Sequence, residues 1–159
     1  MNLPTLDLPV PDLRFFADLS VEVAAPQDVG DVPAGRRRVI PITGGQVRGE
    51  GWTGRVLGGG ADFQVVVGET LAELDARYVI ETDAGELIYV CNQARRAASA
   101  EVTARLMRGD AVDPALVYFR CWPRLECASA RLAWVNERLF LGTGARRPGR
   151  VELRFFVVE

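Results

Sequence analysis

The sequence predicts a mainly β protein, a closed antiparallel β-barrel with one short helix and a small-molecule cavity. Three observations favour this fold. Apolar and polar residues alternate over many short segments. Eight glycines lie among the seventeen positions 44–60, and a single segment, 99–108, has apolar residues at helical spacing. Many short strands with one helix are typical of a barrel or sandwich and not of alternating βαβ units.

The elements follow in chain order. Residues 13–23 place apolar side chains on one parity and mostly polar ones on the other, which predicts a half-buried strand, after a proline-rich extended lead over 1–11. A polar loop is predicted over 25–35 and a second strand over 36–42. The run 44–60 predicts bent strands, because glycine in a strand marks bulges and close backbone approach. Further elements are strands at 62–67, 74–82, 86–92, 116–127, 131–142 and 150–158, and a helix over 99–108 between Ser99 and Gly109.

Size and charge restrict the class of protein. With 159 residues and 48% hydrophobic content, the chain can form one core without disulfides or metals, so we expect a single domain over 1–159. No signal-peptide pattern and no apolar run of membrane-spanning length are found, so we expect a cytoplasmic protein that does not bind a membrane. The formal net charge is −2 and only Arg36–Arg38 form a basic run. A nucleic-acid partner is therefore not expected.

Few residue types in this chain could take part in catalysis. All nineteen basic residues are arginine, and histidine is absent. This excludes Schiff-base and P-loop lysines, Ser-His-Asp triads, Cys-His dyads and histidine-ligated metals. Cys91, Cys121 and Cys127 are odd in number and lack CxxC spacing, so we expect reduced, packed thiols and neither metal nor other cofactor. Asp, Glu, Tyr and Cys remain for proton transfer.

Segment 118–126 carries large side chains on both faces of a predicted strand. Tyr118, Arg120, Trp122 and Glu126 share one parity. Aromatic rings beside an arginine fork can bind an oxygenated ligand, so we predict that this face lines the cavity. The alternative is an ordinary cation–π ladder on the surface.

Other candidates lie on neighbouring segments. Asp62 and Gln64 follow a glycine run on one parity, where the carboxylate could act as a base; the alternative is that Asp62 caps the glycine turn. Tyr78 lies on a mixed face that fits either a cavity wall or the core. Trp134 and Asn136 could stack on and orient a planar ligand, or Trp134 could be plain core.

The order of several motifs resembles a known family. The runs are VIPITGGQVRGEGWTGRVLGGGADFQ, DARYVIETDAGELIYV, DPALVYFRCWPRLE and AWVNERLFLGTGAR. Together they resemble domain-of-unknown-function family 3237 over nearly the whole chain. The resemblance implies a calycin-like, or lipocalin-like, barrel of bacteria and fungi, and no particular activity. The polar positions that match are Asp62, Arg77, Tyr78, Asp83, Tyr118, Arg120, Trp134 and Asn136.

The chain also departs from the family pattern. Glu50 and Gly58 stand where the family has proline, and the family's Asn-Gly-Arg stretch reads Asn92-Gln93-Ala94-Arg95 here. We expect this stretch to be a place of specialisation.

The proton-transfer groups favour a cofactor-independent isomerase, cyclase or lyase acting on a small, partly apolar, oxygenated substrate. Asp62 would be the base, Tyr78 or Tyr118 the proton donor and Arg120 the oxyanion partner. Two alternatives stay open: a ligand-binding barrel without turnover, and a structural subunit whose aromatic face forms a homodimer. A carboxylate beside Arg120 would favour the enzyme, and a wholly apolar pocket the carrier. The expected substrate contacts are Gln64, Asn92, Tyr118, Trp122, Glu126, Trp134 and Asn136.

Overall fold

A computed structural model describes residues 3–159. Ten strands in this range form one sheet that closes into an antiparallel barrel with eight strand positions, so the predicted fold class is confirmed. In chain order the elements are β1 (Leu13–Val23), β2 (Gln27–Val32), β3 (Gly35–Gly49), β4 (Thr53–Val56), β5 (Gly60–Val67), β6 (Leu71–Thr82), β7 (Leu87–Ala97), α1 (Ala100–Arg108), β8 (Tyr118–Cys127), β9 (Phe140–Arg147) and β10 (Arg150–Val158), with 3₁₀ turns at Pro114–Leu116 and Ala133–Glu137.

Strand β3 closes the barrel because its two halves have different neighbours. Residues 36–42 pair with β5, and residues 42–49 pair with β1, which in turn pairs with β10. Strand β2 pairs with the first half of β3 and β4 with the second half. Both β4 and β5 pair with β6. Each of these short strands therefore shares a strand position with another, and the sheet returns to its starting edge.

The glycine-rich run bends as predicted. Gly45 has φ +146°, and a Cβ there would meet the backbone carbonyl oxygen of Ser20 on β1. At Gly54 a Cβ would lie 2.7 Å from the carbonyl oxygen of Glu81 on β6, and at Gly49 it would overlap the Trp52 ring. Glycine at these sites lets neighbouring strands approach closely enough to close the barrel.

Two predicted elements are corrected. The predicted loop 25–35 contains β2, which is held to β3 by an ion pair of 2.8 Å between Asp28 and Arg36. The predicted strand 131–142 is wrong in its first half, which is a 3₁₀ turn. The Asn136 side chain fixes that turn: its Nδ2 donates to the carbonyl of Cys127 at 2.8 Å, and its Oδ1 accepts from the Cys127 amide at 3.0 Å.

The two ends of the barrel differ in chemistry. One end is filled by an aromatic cluster in which Phe16 lies 5.8 Å from Trp52, 5.7 Å from Trp134 and 5.1 Å from Phe140, measured between ring centroids. At the other end α1 connects β7 to β8. Here Arg38 Nη2 donates to the Met107 carbonyl oxygen of α1 at 3.2 Å. The cavity lies between these ends.

The helix α1 has the predicted caps. Ser99 Oγ accepts a hydrogen bond from the Val102 amide at 3.2 Å, and Gly109 ends the helix with φ +84°. Its buried residues are Val102, Thr103 and Leu106. No helix within residues 3–159 has the length and apolar character needed to cross a bilayer.

The barrel closure predicts unequal effects at two adjacent glycines. Gly45→Ala should lower the free energy of unfolding by about 1–3 kcal/mol, because its Cβ would clash with β1 and its φ is positive. Gly44→Ala is the control, since a Cβ there would make only ordinary contacts, with Glu22 Oε2 at 3.5 Å and the Val56 carbonyl oxygen at 3.8 Å, and should change the free energy of unfolding by less than about 1 kcal/mol. Urea denaturation measures both. Equal stabilities of the two variants would contradict the described closure.

Candidate functional site

Polar side chains interrupt the apolar lining of the barrel at one level and surround a small cavity. Its volume is about 50 Å³, which is room for about two water molecules or one small organic group. The polar residues lining it are Asp62, Gln64, Tyr78, Asn92, Arg96 and Arg146; its apolar walls include Leu74, Phe119 and Leu153. The cavity therefore combines hydrogen-bonding groups with apolar surface, as small-molecule sites usually do.

Asp62 and Gln64 share the inner face of β5, as the sequence predicted. Gln64 Nε2 donates to Asp62 Oδ2 at 2.8 Å, and the backbone amide of Asp75 on β6 donates to Oδ1 at 3.1 Å. Because both hydrogen bonds come from within the barrel wall, the alternative that Asp62 caps the glycine turn is wrong. Burial raises the pKa of Asp62, although these hydrogen bonds and the charge of Arg96 oppose the shift. A carboxyl with a raised pKa can exchange protons closer to neutral pH.

Tyr78 lies beside this carboxyl, on the inner face of β6. Its side chain is buried, and burial raises its pKa far above the ordinary value. The phenol therefore stays protonated, with its O–H available to donate a hydrogen bond. Asn92, on the inner face of the neighbouring strand β7, is also buried. Of the two placements that the sequence left open for Tyr78, a cavity wall or the core, its side chain lines the cavity, and Asn92 lines the same cavity.

Buried polar atoms without partners converge on the cavity. Within residues 3–159, the buried side-chain atoms that lack any hydrogen bond are Gln64 Oε1, Tyr78 OH, Asn92 Oδ1 and Arg146 Nη1. All four belong to residues that line this one cavity. Buried polar groups are almost always hydrogen-bonded, and each one left unsatisfied costs about 1–3 kcal/mol. The interior is therefore shaped to hydrogen-bond a polar occupant.

The candidate residues of β8 lie outside the barrel. Tyr118 and Trp122 are 56% and 42% exposed, and Arg120 lies over the Tyr118 ring at 5.2 Å. Glu126 is exposed and pairs loosely with Arg124 at 3.8 Å. The prediction that this face lines the cavity is wrong, because the opposite, more apolar parity faces inward. That inner set is Phe119, Cys121, Pro123, Leu125 and Cys127.

Trp134 and Asn136 are likewise away from the cavity. Trp134 belongs to the aromatic cluster at the opposite end of the barrel, where the Arg14 guanidinium lies over its ring at 5.8 Å. The side-chain amide of Asn136 is hydrogen-bonded to the backbone of Cys127 in the turn. The prediction that these two residues orient a ligand in the cavity is therefore corrected, and their roles here are in packing and in fixing a turn.

Sequence reasoning missed two arginines of the site. Arg96 lies on the parity of Ile88, Val90 and Asn92, an inward-facing set, but the strand was predicted to end at residue 92 whereas β7 extends to Ala97. Arg146 lies on β9, beyond the predicted end at 142. The parity of β7 was the signal that could have found Arg96.

The cysteine closest to the cavity does not provide a nucleophile. Cys121 is buried on the inner face of β8, and burial raises its pKa to about 12. The thiol is protonated near neutral pH, and the thiolate is the reactive form. Within residues 3–159, moreover, no three His, Cys, Asp or Glu side chains are grouped so that they could hold a metal ion.

Solved structures of other proteins share this barrel fold. The structure is similar to a β-barrel-like protein of Acinetobacter baumannii (TM-score 0.85, 36% identity, 98% of this chain and 100% of that chain covered). It also matches an enzyme of Penicillium herquei with a TM-score of 0.71 and 19% identity, covering 99% of this chain and all of that one. The latter likeness concerns the fold alone.

The family follows from sequence. Residues 11–158 match the family described as protein of unknown function DUF3237. A UPF0311 protein of Rhodopseudomonas palustris strain TIE-1 is 39% identical over 143 residues, which cover 90% of this chain and 94% of the relative. The chain belongs to the DUF3237 family, as its motifs predicted.

The unpartnered phenol of Tyr78 gives a prediction about stability. Tyr78→Phe removes a buried hydroxyl that has no partner, so the ligand-free variant should be as stable as the wild type or more stable by up to about 1 kcal/mol. Chemical denaturation at neutral pH measures the difference. A loss of more than about 1 kcal/mol would mean that the hydroxyl is already paired in the free protein.

Proposed function

We propose that the chain is a cofactor-independent enzyme, of the isomerase, cyclase or lyase type, acting on a small oxygenated substrate inside the barrel. The observation that carries the proposal is the convergence of four unpartnered polar atoms on a cavity that also holds the buried Asp62 carboxyl. A carrier for apolar ligands would need none of these groups.

The chemistry follows from the protonation states. Asp62 in its ionised form takes a proton from an acidic C–H or O–H of the substrate, and the N–H groups of Gln64 and Asp75 steady the carboxylate. Tyr78, kept protonated by burial, donates to the oxygen on which negative charge develops. The proton on Asp62 then returns to a different atom of the substrate or to a leaving group. No electron leaves the substrate, so the reaction needs no redox partner.

The electrostatic role expected of Arg120 passes to Arg96. Arg96 lines the cavity and its charge acts on Asp62, whereas Arg120 lies on the outer surface. Arg120 forms no ion pair within residues 3–159, so the carboxylate expected beside it is missing; in this proposal Asp62 and Arg96 provide that arrangement inside the cavity. The Penicillium herquei enzyme supports the proposal to the extent that a barrel of this fold can carry an enzyme.

The second candidate function is structural: the outer face of β8 would form the contact of a homodimer. Tyr118 and Trp122 expose large aromatic surfaces on the outer face of β8, and aromatic residues are enriched in protein interfaces. Light scattering of the wild type and of a Tyr118→Ser/Trp122→Ser variant tests this. A dimeric wild type with a monomeric variant supports the role, and a monomeric wild type rejects it.

The enzyme is tested in D₂O. The protein is incubated with a bacterial metabolite extract, and mass spectrometry follows compounds that rearrange, cyclise, lose a small neutral group or gain deuterium. We expect at least one such change, with a rate that falls at least about a hundredfold in Asp62→Asn, the size of a general-base contribution. Prolonged treatment with EDTA should leave the rate unchanged, because the chain lacks the histidines and cysteine clusters of common metal sites.

Arg120→Met is the control, because it removes a charged side chain of β8 from the outer face and should retain the wild-type rate. Equal rates of Asp62→Asn and wild type would reject Asp62 as the base. Compounds that copurify with the barrel but are never transformed would overturn the enzyme in favour of the carrier.

A further inference from the structure

Three arginines of the barrel's inner face cluster at the end of the cavity nearest α1. Arg38 and Arg96 are each 5% exposed, and Arg146 is half-buried with its Nη1 atom fully enclosed. They come from three separate strands, β3, β7 and β9. Arg96 lies two residues after the buried Ala94, and Arg146 lies two residues after Gly144. The charges of Arg38 and Arg146 both act on Arg96, so the three guanidinium groups are near one another. Arg96 and Arg146 line the cavity itself, and Arg38 lies behind them against the Met107 carbonyl.

The positive charges of these three arginines are not matched by carboxylate partners. None of the ion pairs formed within residues 3–159 includes Arg38, Arg96 or Arg146. Asp62 is the carboxyl that shares the cavity, and its own hydrogen bonds go to Gln64 and Asp75. Buried charges are normally paired, because an isolated charge in a protein interior is costly. Most of the arginines outside this cluster, by contrast, have carboxylate partners, as in the pair of Arg154 with Asp18.

The arginines also repel one another. Burial lowers the pKa of Arg96 to about 10; the charge of Asp62 opposes this shift, and the charges of Arg146 and Arg38 add to it. Burial and the charge of Arg38 likewise lower the pKa of Arg146. A cluster of like charges with an unpaired donor is therefore maintained at the cavity at a cost in stability. An anion bound between the guanidinium groups would remove this cost.

We propose that Arg96 and Arg146 bind a carboxylate group of the substrate, so that the substrate is a small organic acid. A guanidinium presents paired N–H donors that match the two oxygens of a carboxylate. The cavity of about 50 Å³ has room for such a group and not for a nucleotide. The carboxylate would point toward α1, and the remaining heavy atoms that this volume allows, roughly one or two, would lie beside Asp62 and Tyr78. This inference rests on the proposed function for the identity of the occupant as a substrate, while the binding itself is measured separately.

The experiment uses the wild-type protein and a matched pair of probes. Sodium acetate and acetamide have the same shape and differ in charge, and each is titrated at constant ionic strength while amide chemical shifts are followed by NMR. We expect acetate to bind at least about tenfold more tightly than acetamide, which is about 1.4 kcal/mol. The Arg96→Met and Arg146→Met variants should each lose at least that factor in acetate affinity. Arg120→Met, on the outer face, should bind acetate as the wild type does.

Both variants should fold, because an apolar side chain of similar length replacing an uncompensated buried charge is tolerated or stabilising. If one does not fold, the other carries the test. Equal affinities for acetate and acetamide, or unchanged acetate affinity in the folded arginine variants, would overturn the proposal. Competition by sodium chloride with the same affinity as acetate would also overturn it, since the site would then select charge and not a carboxylate.

The Asp62→Asn variant separates this inference from the proposed function. It keeps both arginines and should bind acetate at least as tightly as the wild type. Acetate binding with no Asp62-dependent turnover would leave the carboxylate site standing and reject the enzyme. Turnover that depends on Asp62 without acetate binding would reject the carboxylate site alone.

Discussion

The constraint on which the structure depends is closure of the sheet. In a closed barrel every second residue of each strand points into an interior that water does not freely enter, and no strand edge offers an escape. Strand β3 imposes this closure by pairing with β5 through one half and with β1 through the other. A polar side chain on the inner parity must then find a partner inside the barrel or lose hydrogen-bond energy.

Polar and apolar side chains are distributed unevenly along the barrel axis. The end with Phe16, Trp52, Trp134 and Phe140 is packed with aromatic rings, so it contributes apolar burial and stability. The end near α1 holds the polar residues and leaves several of their atoms without partners. Stability is thus concentrated away from the cavity, and the cavity keeps groups that are unfavourable until an occupant meets them. This separation is common where a scaffold supports a binding site.

The fold was predictable because alternation, turns and caps are local signals, and β1, the β6–β7 hairpin and the caps of α1 follow from them. The cavity was predictable only where a polar residue interrupted an otherwise apolar face, as at Asp62, Gln64, Tyr78 and Asn92. On β8 both parities carry large side chains, and alternation separates two faces without saying which one is inside. Arg96 and Arg146 were missed because an arginine near the end of a strand usually reaches solvent, and the strands continue beyond the predicted ends. Asn136 lies in a turn and not in the predicted strand, because its side-chain amide hydrogen-bonds the backbone of Cys127. The alternation of apolar and polar residues does not encode this contact.

The central claim is that the unpartnered atoms of the cavity await a polar occupant, and a high-resolution crystal structure of the protein as purified tests it most directly. The account predicts electron density for a small oxygenated molecule within hydrogen-bond distance of Gln64 Oε1, Tyr78 OH, Asn92 Oδ1 and Arg146 Nη1. It also predicts that no such molecule is bound on the outer face that carries Trp122. Density showing these four atoms hydrogen-bonded to one another around an empty or collapsed cavity would contradict it.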